Sequence, residues 1–191
     1  MPQSTQPSAQ HGAFSGDILV IDDEVPNLKL LTDILTGAGY QVRPTTVPHL
    51  ALQAARTRPP DLILSDVRMP EMTGFEFCAA LKQDEHTRDI PVIFVSALQD
   101  VEDRVRAFEL GGADFICKPF QTAEVLARVQ NHLALRNLTL GLEAQVAERS
   151  SALVAANRAL QAEIEEHNQA QAELGDTRRF NERLIETANT M

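Results

Sequence analysis

Five side chains that could do chemistry sit at the ends of short apolar runs. Asp22 and Asp23 close VIDD, Asp66 closes LILSD, Ser96 closes VIFVS and Lys118 closes DFICK. Carboxylates gathered in one crevice repel one another and raise a pKa unless a cation joins them, so this set predicts a divalent metal. The ligands are oxygen only, with no His or Cys among them, which favours Mg²⁺ or Mn²⁺ over zinc. Lys118 and Ser96 add a point charge and a hydroxyl donor suited to phosphoryl oxygens. With a metal, the set forms a phosphoryl-transfer site in which Asp66 can act as the nucleophile.

Taken singly, each residue has a plainer reading. An Asp at a strand end is ordinarily a helix cap or turn residue, and a Lys before Pro is ordinarily solvated. Their joint occurrence at the expected strand ends is what marks a functional cleft.

The elements that must position them alternate in type. DILVID (17–22), YQVRP (40–44), DLILSD (61–66), PVIFVSA (91–97) and ADFICK (113–118) read as short strands buried on both faces. Between them PNLKLLTDILTGAG, VPHLALQAARTR, GFEFCAALKQ and DVEDRVRAFELGG carry helical periodicity with Pro near the starts and Gly at stops. Five βα units predict an α/β fold, a doubly wound parallel sheet with helices on both faces. The carboxyl ends of such strands are where ligands collect.

Composition narrows the partners. Lys plus Arg number 17 against 27 Asp plus Glu, a net charge of −10, so nucleic acid and an anionic membrane surface are disfavoured. Cys78 and Cys117 lack metal-type spacing and read as small buried hydrophobes in a reducing, cytoplasmic setting. No apolar run approaches the roughly 20 residues of a membrane span, and no secretion signal opens the chain. Residues 1–15, rich in Gln, Ser and Pro, read as a flexible leader.

From Thr122 onward there is no Pro and only Gly141 and Gly175 interrupt an Ala, Glu, Gln, Leu and Arg-rich stretch. This predicts one long helix. Leu135, Leu138, Leu142, Val146, Leu153, Asn157, Leu160, Ile164, His167 and Leu174 form a seam with 3-4 spacing and a stutter at Val146. A parallel coiled-coil homodimer over 136–191 is therefore expected, because a long helix that is polar all round lacks packing support.

VIDDE (20–24), LSDVRMPEMTGFE (64–76), VSAL (95–98) and GGADFICKPF (111–120) together resemble the signatures of the receiver domain of bacterial two-component response regulators, over residues 16–135. The resemblance implies a flavodoxin-like strand order 2-1-3-4-5 and names Asp66 as the phosphoacceptor. It makes Asp23 a direct Mg²⁺ ligand, Asp22 a ligand through water, and the Arg68 backbone carbonyl a further ligand. Ser96 takes the hydroxyl position that moves toward the phosphoryl group, Lys118 the ion-pair position, and Lys118-Pro119 a cis peptide bond. Phe115 falls at the switch aromatic that turns inward on activation, or is an ordinary core Phe. Arg68 and Leu98 occupy positions that modulate the phosphoryl lifetime.

The implied partner is a histidine kinase or a phosphotransfer protein, and the chain is expected to be no enzyme beyond its own phosphorylation and dephosphorylation. Receivers followed by such helices are similar to the regulatory parts of hybrid histidine kinases and diguanylate cyclases. ERLIETANTM resembles the lead-in to a PAS domain, so the output is expected beyond Met191 or in a separate protein. These residues carry no ATP-binding box, GGDEF-type loop or helix-turn-helix. His167 lacks the surroundings of a kinase phosphoacceptor and reads as a polar seam residue. Two alternatives stand beside this: a phosphatase of the haloacid dehalogenase type, whose Asp-x-Asp pair is interrupted here by Arg68, and an unphosphorylated pseudo-receiver acting as a dimerisation scaffold.

Overall fold

Alternating strand and helix patterns produce the element order expected of them. In the computed structural model these are β1 (Asp17–Ile21), α1 (Val25–Gly37), β2 (Gln41–Thr45), α2 (Pro48–Thr57), β3 (Leu62–Asp66), α3 (Gly74–Lys82), β4 (Val92–Ser96), α4 (Val101–Glu109), β5 (Asp114–Cys117) and α5 (Thr122–Ala188). The structure describes residues 16–97 and 101–188, apart from the side chains of 101–104, 163, 166–170, 172–174 and 176–188. The proposed leader, Leu98, and the side chains of His167 and Leu174 lie outside the described residues, as do those of the ERLIETANTM ending.

The strands form one parallel sheet in the order β2-β1-β3-β4-β5. Period-two alternation sends Leu19, Ile21, Ile63 and Phe94 into one core with Ala51, Phe77 and Ala107. Ile18, Val20, Leu64 and Ile93 enter the other with Leu31, Leu35 and Val129. Each fully buried Val, Leu, Ile or Phe among them contributes about 1.5–3 kcal/mol.

β1, β3 and β4 fit the doubly covered pattern, but β2 departs from it. It is an edge strand, hydrogen-bonded only to β1, and its residues are exposed or half-buried. Pro44 is tolerated there because one side of the strand needs no ladder donor, and Arg43 spends its charge on Asp17 at 2.9 Å.

Pro in the first turn starts both α1 and α2. α3 starts on a capping box, in which the Thr73 hydroxyl accepts from the Glu76 N–H at 3.2 Å and Glu76 accepts from the Thr73 N–H at 2.8 Å. Since α3 follows Asp66 by only eight residues, this cap fixes where the loop after β3 must end.

The chain divides into two compact units, Met1–Leu138 and Thr139–Met191. Within the first, Val125, Val129 and Leu133 of α5 are buried. Within the second, Leu142 is 53% exposed, Val146 63%, Leu153 63%, Leu160 55% and Ile164 58%. Among the described residues no helix is long and apolar enough to cross a membrane.

Candidate functional site

Parallel pairing puts the carboxyl ends of all five strands on one edge, and register decides which residues meet there. Ile21 pairs with Ser65, Asp66 with Val95, and Ser96 with Cys117. Asp22, Asp66, Ser96 and Lys118 therefore emerge at one level, although they are spread over 97 positions of sequence.

Lys118 organises the cluster. Its Nζ donates to Asp66 Oδ1 at 2.7 Å and to Asp22 Oδ2 at 2.8 Å. The remaining oxygens are held by the backbone: Asp22 Oδ1 accepts from the Glu24 N–H at 2.9 Å, and Asp66 Oδ2 from the Arg68 N–H at 3.0 Å. Asp22, Asp66 and Ser96 are buried, and Asp23 is half-buried. The Lys118 N–H donates to the Ser96 carbonyl at 2.8 Å, which ties the end of β5 to that of β4. The Lys118-Pro119 bond is cis, and Phe115 is buried with the core below.

A family profile described as the response regulator receiver domain matches residues 18–130, more than half of the chain. The chain belongs to that family. The receiver is 42% identical over 118 residues to Response regulator PleD of Caulobacter vibrioides, a match covering 62% of this chain and 26% of that protein. It is 34% identical over 143 residues to a Vibrio cholerae protein named "Probable cyclic di-GMP phosphodiesterase", covering 71% of this chain and 32% of that one. The receiver thus spans only a minor part of either relative.

Among solved structures, the receiver resembles the chemotaxis response regulator CheY4 of Vibrio cholerae at 28% identity and a TM-score of 0.59, over 62% of this chain and 99% of that one. It also resembles the signal receiver domain of a signal transduction histidine kinase from Syntrophus aciditrophicus, at 38% identity and a TM-score of 0.58, over 62% and 90% of the two chains.

Electrostatics in the receiver's cleft are unevenly balanced. Burial pushes the Asp66 carboxyl above its usual range; the Lys118 hydrogen bond and charge pull it down, Asp22 pushes it up again, and the Arg68 N–H lowers it. For Lys118, burial favours the neutral amine, but the hydrogen bonds and charges of Asp22 and Asp66 outweigh it and hold the ammonium protonated. The lysine is firmly charged while Asp66 remains undercompensated.

Among the described residues, no three His, Cys, Asp or Glu side chains stand together as a metal centre by themselves. The ammonium of Lys118 lies between Asp22 and Asp66 in this arrangement.

Three features escaped the reading of the sequence. Ser65, hidden in the apolar run LILSD, is fully buried, and its hydroxyl donates to the Asp66 carbonyl at 3.0 Å. Gly74 is required by close approach, because a Cβ there would drive into that same carbonyl. Asp114 accepts from Arg128 at 2.7 Å and lies 3.1 Å from His132 Nε2, joining β5 to α5. Only the polar Ser amid Leu and Ile, and the Gly at the start of α3, left any trace in the sequence.

Proposed function

We propose that the receiver is a phosphorylation switch in which Asp66 takes a phosphoryl group from a histidine kinase or phosphotransfer protein. The observation that carries this reading is Lys118 bridging Asp66 and Asp22 in a buried cleft at the strand ends. An Asp66 oxygen forms the new P–O bond in line as the P–N bond to the donor's phosphohistidine breaks, and the imidazole leaves with the electron pair. Lys118 holds the carboxylate in place and then meets the phosphoryl oxygens with its charge. Ser96, at the end of β4, offers its hydroxyl to the same group.

The donor set fits a hard divalent cation. Asp22, Asp23, Asp66 and the Arg68 carbonyl offer oxygen alone, and burial leaves Asp66 short of positive charge even beside Lys118. Mg²⁺ or Mn²⁺ bound there would supply charge neutralisation for the transferring phosphoryl group.

Downstream, the reading is a homodimer. More than half of the surface of Leu142, Val146, Leu153, Leu160 and Ile164 is open in the single chain, and a parallel coiled coil with Asn157 in its seam covers such a stripe. A group of charge near −2 on Asp66 would recruit Ser96 and bias the face built from α4, β5 and α5. The output proposed is a histidine kinase or diguanylate cyclase, with a PAS domain as one route to it. The cyclic-nucleotide chemistry in the name of the Vibrio relative supports an output of that second-messenger kind. The proposed location is the cytoplasm, without nucleic acid or membrane as direct partner.

Beryllium fluoride, a phosphoryl mimic, provides the test. Mg²⁺-dependent binding followed by fluorine NMR is expected for wild type and lost in Asp66→Asn. Binding that persists in Asp66→Asn, or none in either, overturns the switch.

A further inference from the structure

Ser65 raises a question of its own. It is fully buried, in a layer where its strand neighbours are Ile21 and Phe94 and where Val67 and Phe75 follow. A hydroxyl gains nothing from that apolar surround, and burying one is unfavourable unless it is hydrogen-bonded. Its bond goes to the carbonyl of the next residue, Asp66, at 3.0 Å.

That carbonyl is held from a second side. Gly74, the first residue of α3, approaches so closely that any Cβ would collide with the Asp66 oxygen, and such a Cβ would also lie 3.1 Å from Ser65 Oγ. Hydroxyl, carbonyl and glycine are thus packed as one unit. The unit fixes the plane of the peptide that leaves Asp66, and this plane sets where residues 67 and 68 go. Two residues on, the Arg68 N–H returns to Asp66 Oδ2 at 3.0 Å, and the Gly74 N–H returns to the Val67 carbonyl at 3.0 Å.

We propose that Ser65 is a positioning residue for phosphoryl transfer. Its hydroxyl, acting on the Asp66 carbonyl from the opposite face of the sheet, orients the 66–67 peptide so that the Arg68 backbone faces the Asp66 carboxylate. Ser65 touches neither phosphoryl group nor metal; it acts through the chain it anchors. The inference rests on the switch reading above and deepens it.

The test compares wild type, Ser65→Ala and Ser65→Cys in the full chain, with acetyl phosphate as donor and Mg²⁺ titrated. Alanine suits the apolar layer, so Ser65→Ala is expected to keep its fold and melt within a few degrees of wild type. Its phosphorylation rate at saturating Mg²⁺ is expected to fall about tenfold, the lower end of what losing a contact that orients a metal-site ligand costs. Its half-saturating Mg²⁺ concentration is expected to rise several-fold. Ser65→Cys, of similar size with a weaker donor, is expected to fall between. A purely structural role would instead lower the melting temperature and leave the rate of the folded fraction unchanged.

A second readout needs no phosphoryl chemistry. In the metal-free chain the Arg68 amide resonance is expected to shift in Ser65→Ala while those of β1 stay in place. Wild-type rate and Mg²⁺ dependence in Ser65→Ala, or an unmoved Arg68 amide, overturn the proposal. A wild-type chain that takes no phosphoryl group while Ser65→Ala still moves the Arg68 amide overturns the switch reading and with it the catalytic part of this one.

Discussion

Lys118 Nζ lies 2.7 Å from Asp66 Oδ1, closing a contact between residues 52 positions apart in the chain. The same nitrogen reaches Asp22, so one ammonium serves two buried carboxylates.

Removing that ammonium leaves two buried anions facing each other. Lys118→Met is expected to destabilise the receiver by about 3 kcal/mol, as breaking a buried pair from one side does. It is also expected to slow phosphorylation by about 100-fold or more, the usual effect of losing one preorganised charge at a transferring group. Urea unfolding reads the first and the rate of adduct formation the second.

Close packing at the start of α3 makes Gly74→Ala a severe change for one methyl group. The new Cβ meets the Asp66 carbonyl, which is backbone and cannot swing aside. A loss of about 2–3 kcal/mol is expected, typical of overpacking, measured as a lower urea midpoint.

Asp114 gives the receiver an acid-sensitive component. Burial raises its pKa, but the Arg128 hydrogen bond, the Phe115 N–H, the His132 hydrogen bond and the Arg128 charge outweigh this and hold the carboxyl below its usual range. A depressed carboxyl contributes stability that is fully present above its unfolded value, about 3.9, and lost as pH falls through the lower folded value. Wild type is therefore expected to exceed Asp114→Asn in stability at neutral pH, with the gap closing below about pH 4. Denaturant titrations across pH 7 to 2.5 check the sign.

Seam residues test the dimer apart from the receiver. Leu142→Glu with Leu160→Glu places like charges in both chains' seams and is expected to shift the light-scattering mass from dimer toward monomer. The first unit should keep its melting behaviour, because neither residue belongs to its core.

Much of this was legible because two patterns coincide. The βα alternation fixed where strands end, and Asp66, Ser96 and Lys118 are chemically conspicuous at those ends. Around β2 the apolar Tyr40, Val42 and Pro44 suggest a buried strand, whereas Gln41 and Arg43 between them mark the edge it turns out to be. Ser65 was not legible because one small polar residue in LILSD shows no partner, and its partner is the backbone of its neighbour. Asp114, Arg128 and His132 were hidden because a contact from β5 to α5 follows from packing angle, not from spacing.

The most direct test is the intact mass of the chain after incubation with Mg²⁺ and acetyl phosphate, for wild type and Asp66→Asn. One base-labile, hydroxylamine-sensitive phosphoryl group is expected on wild type, and peptide mapping is expected to place it on Asp66, with none on the variant. A wild-type chain that stays unmodified, or an Asp66→Asn chain that gains the same group, would contradict the account.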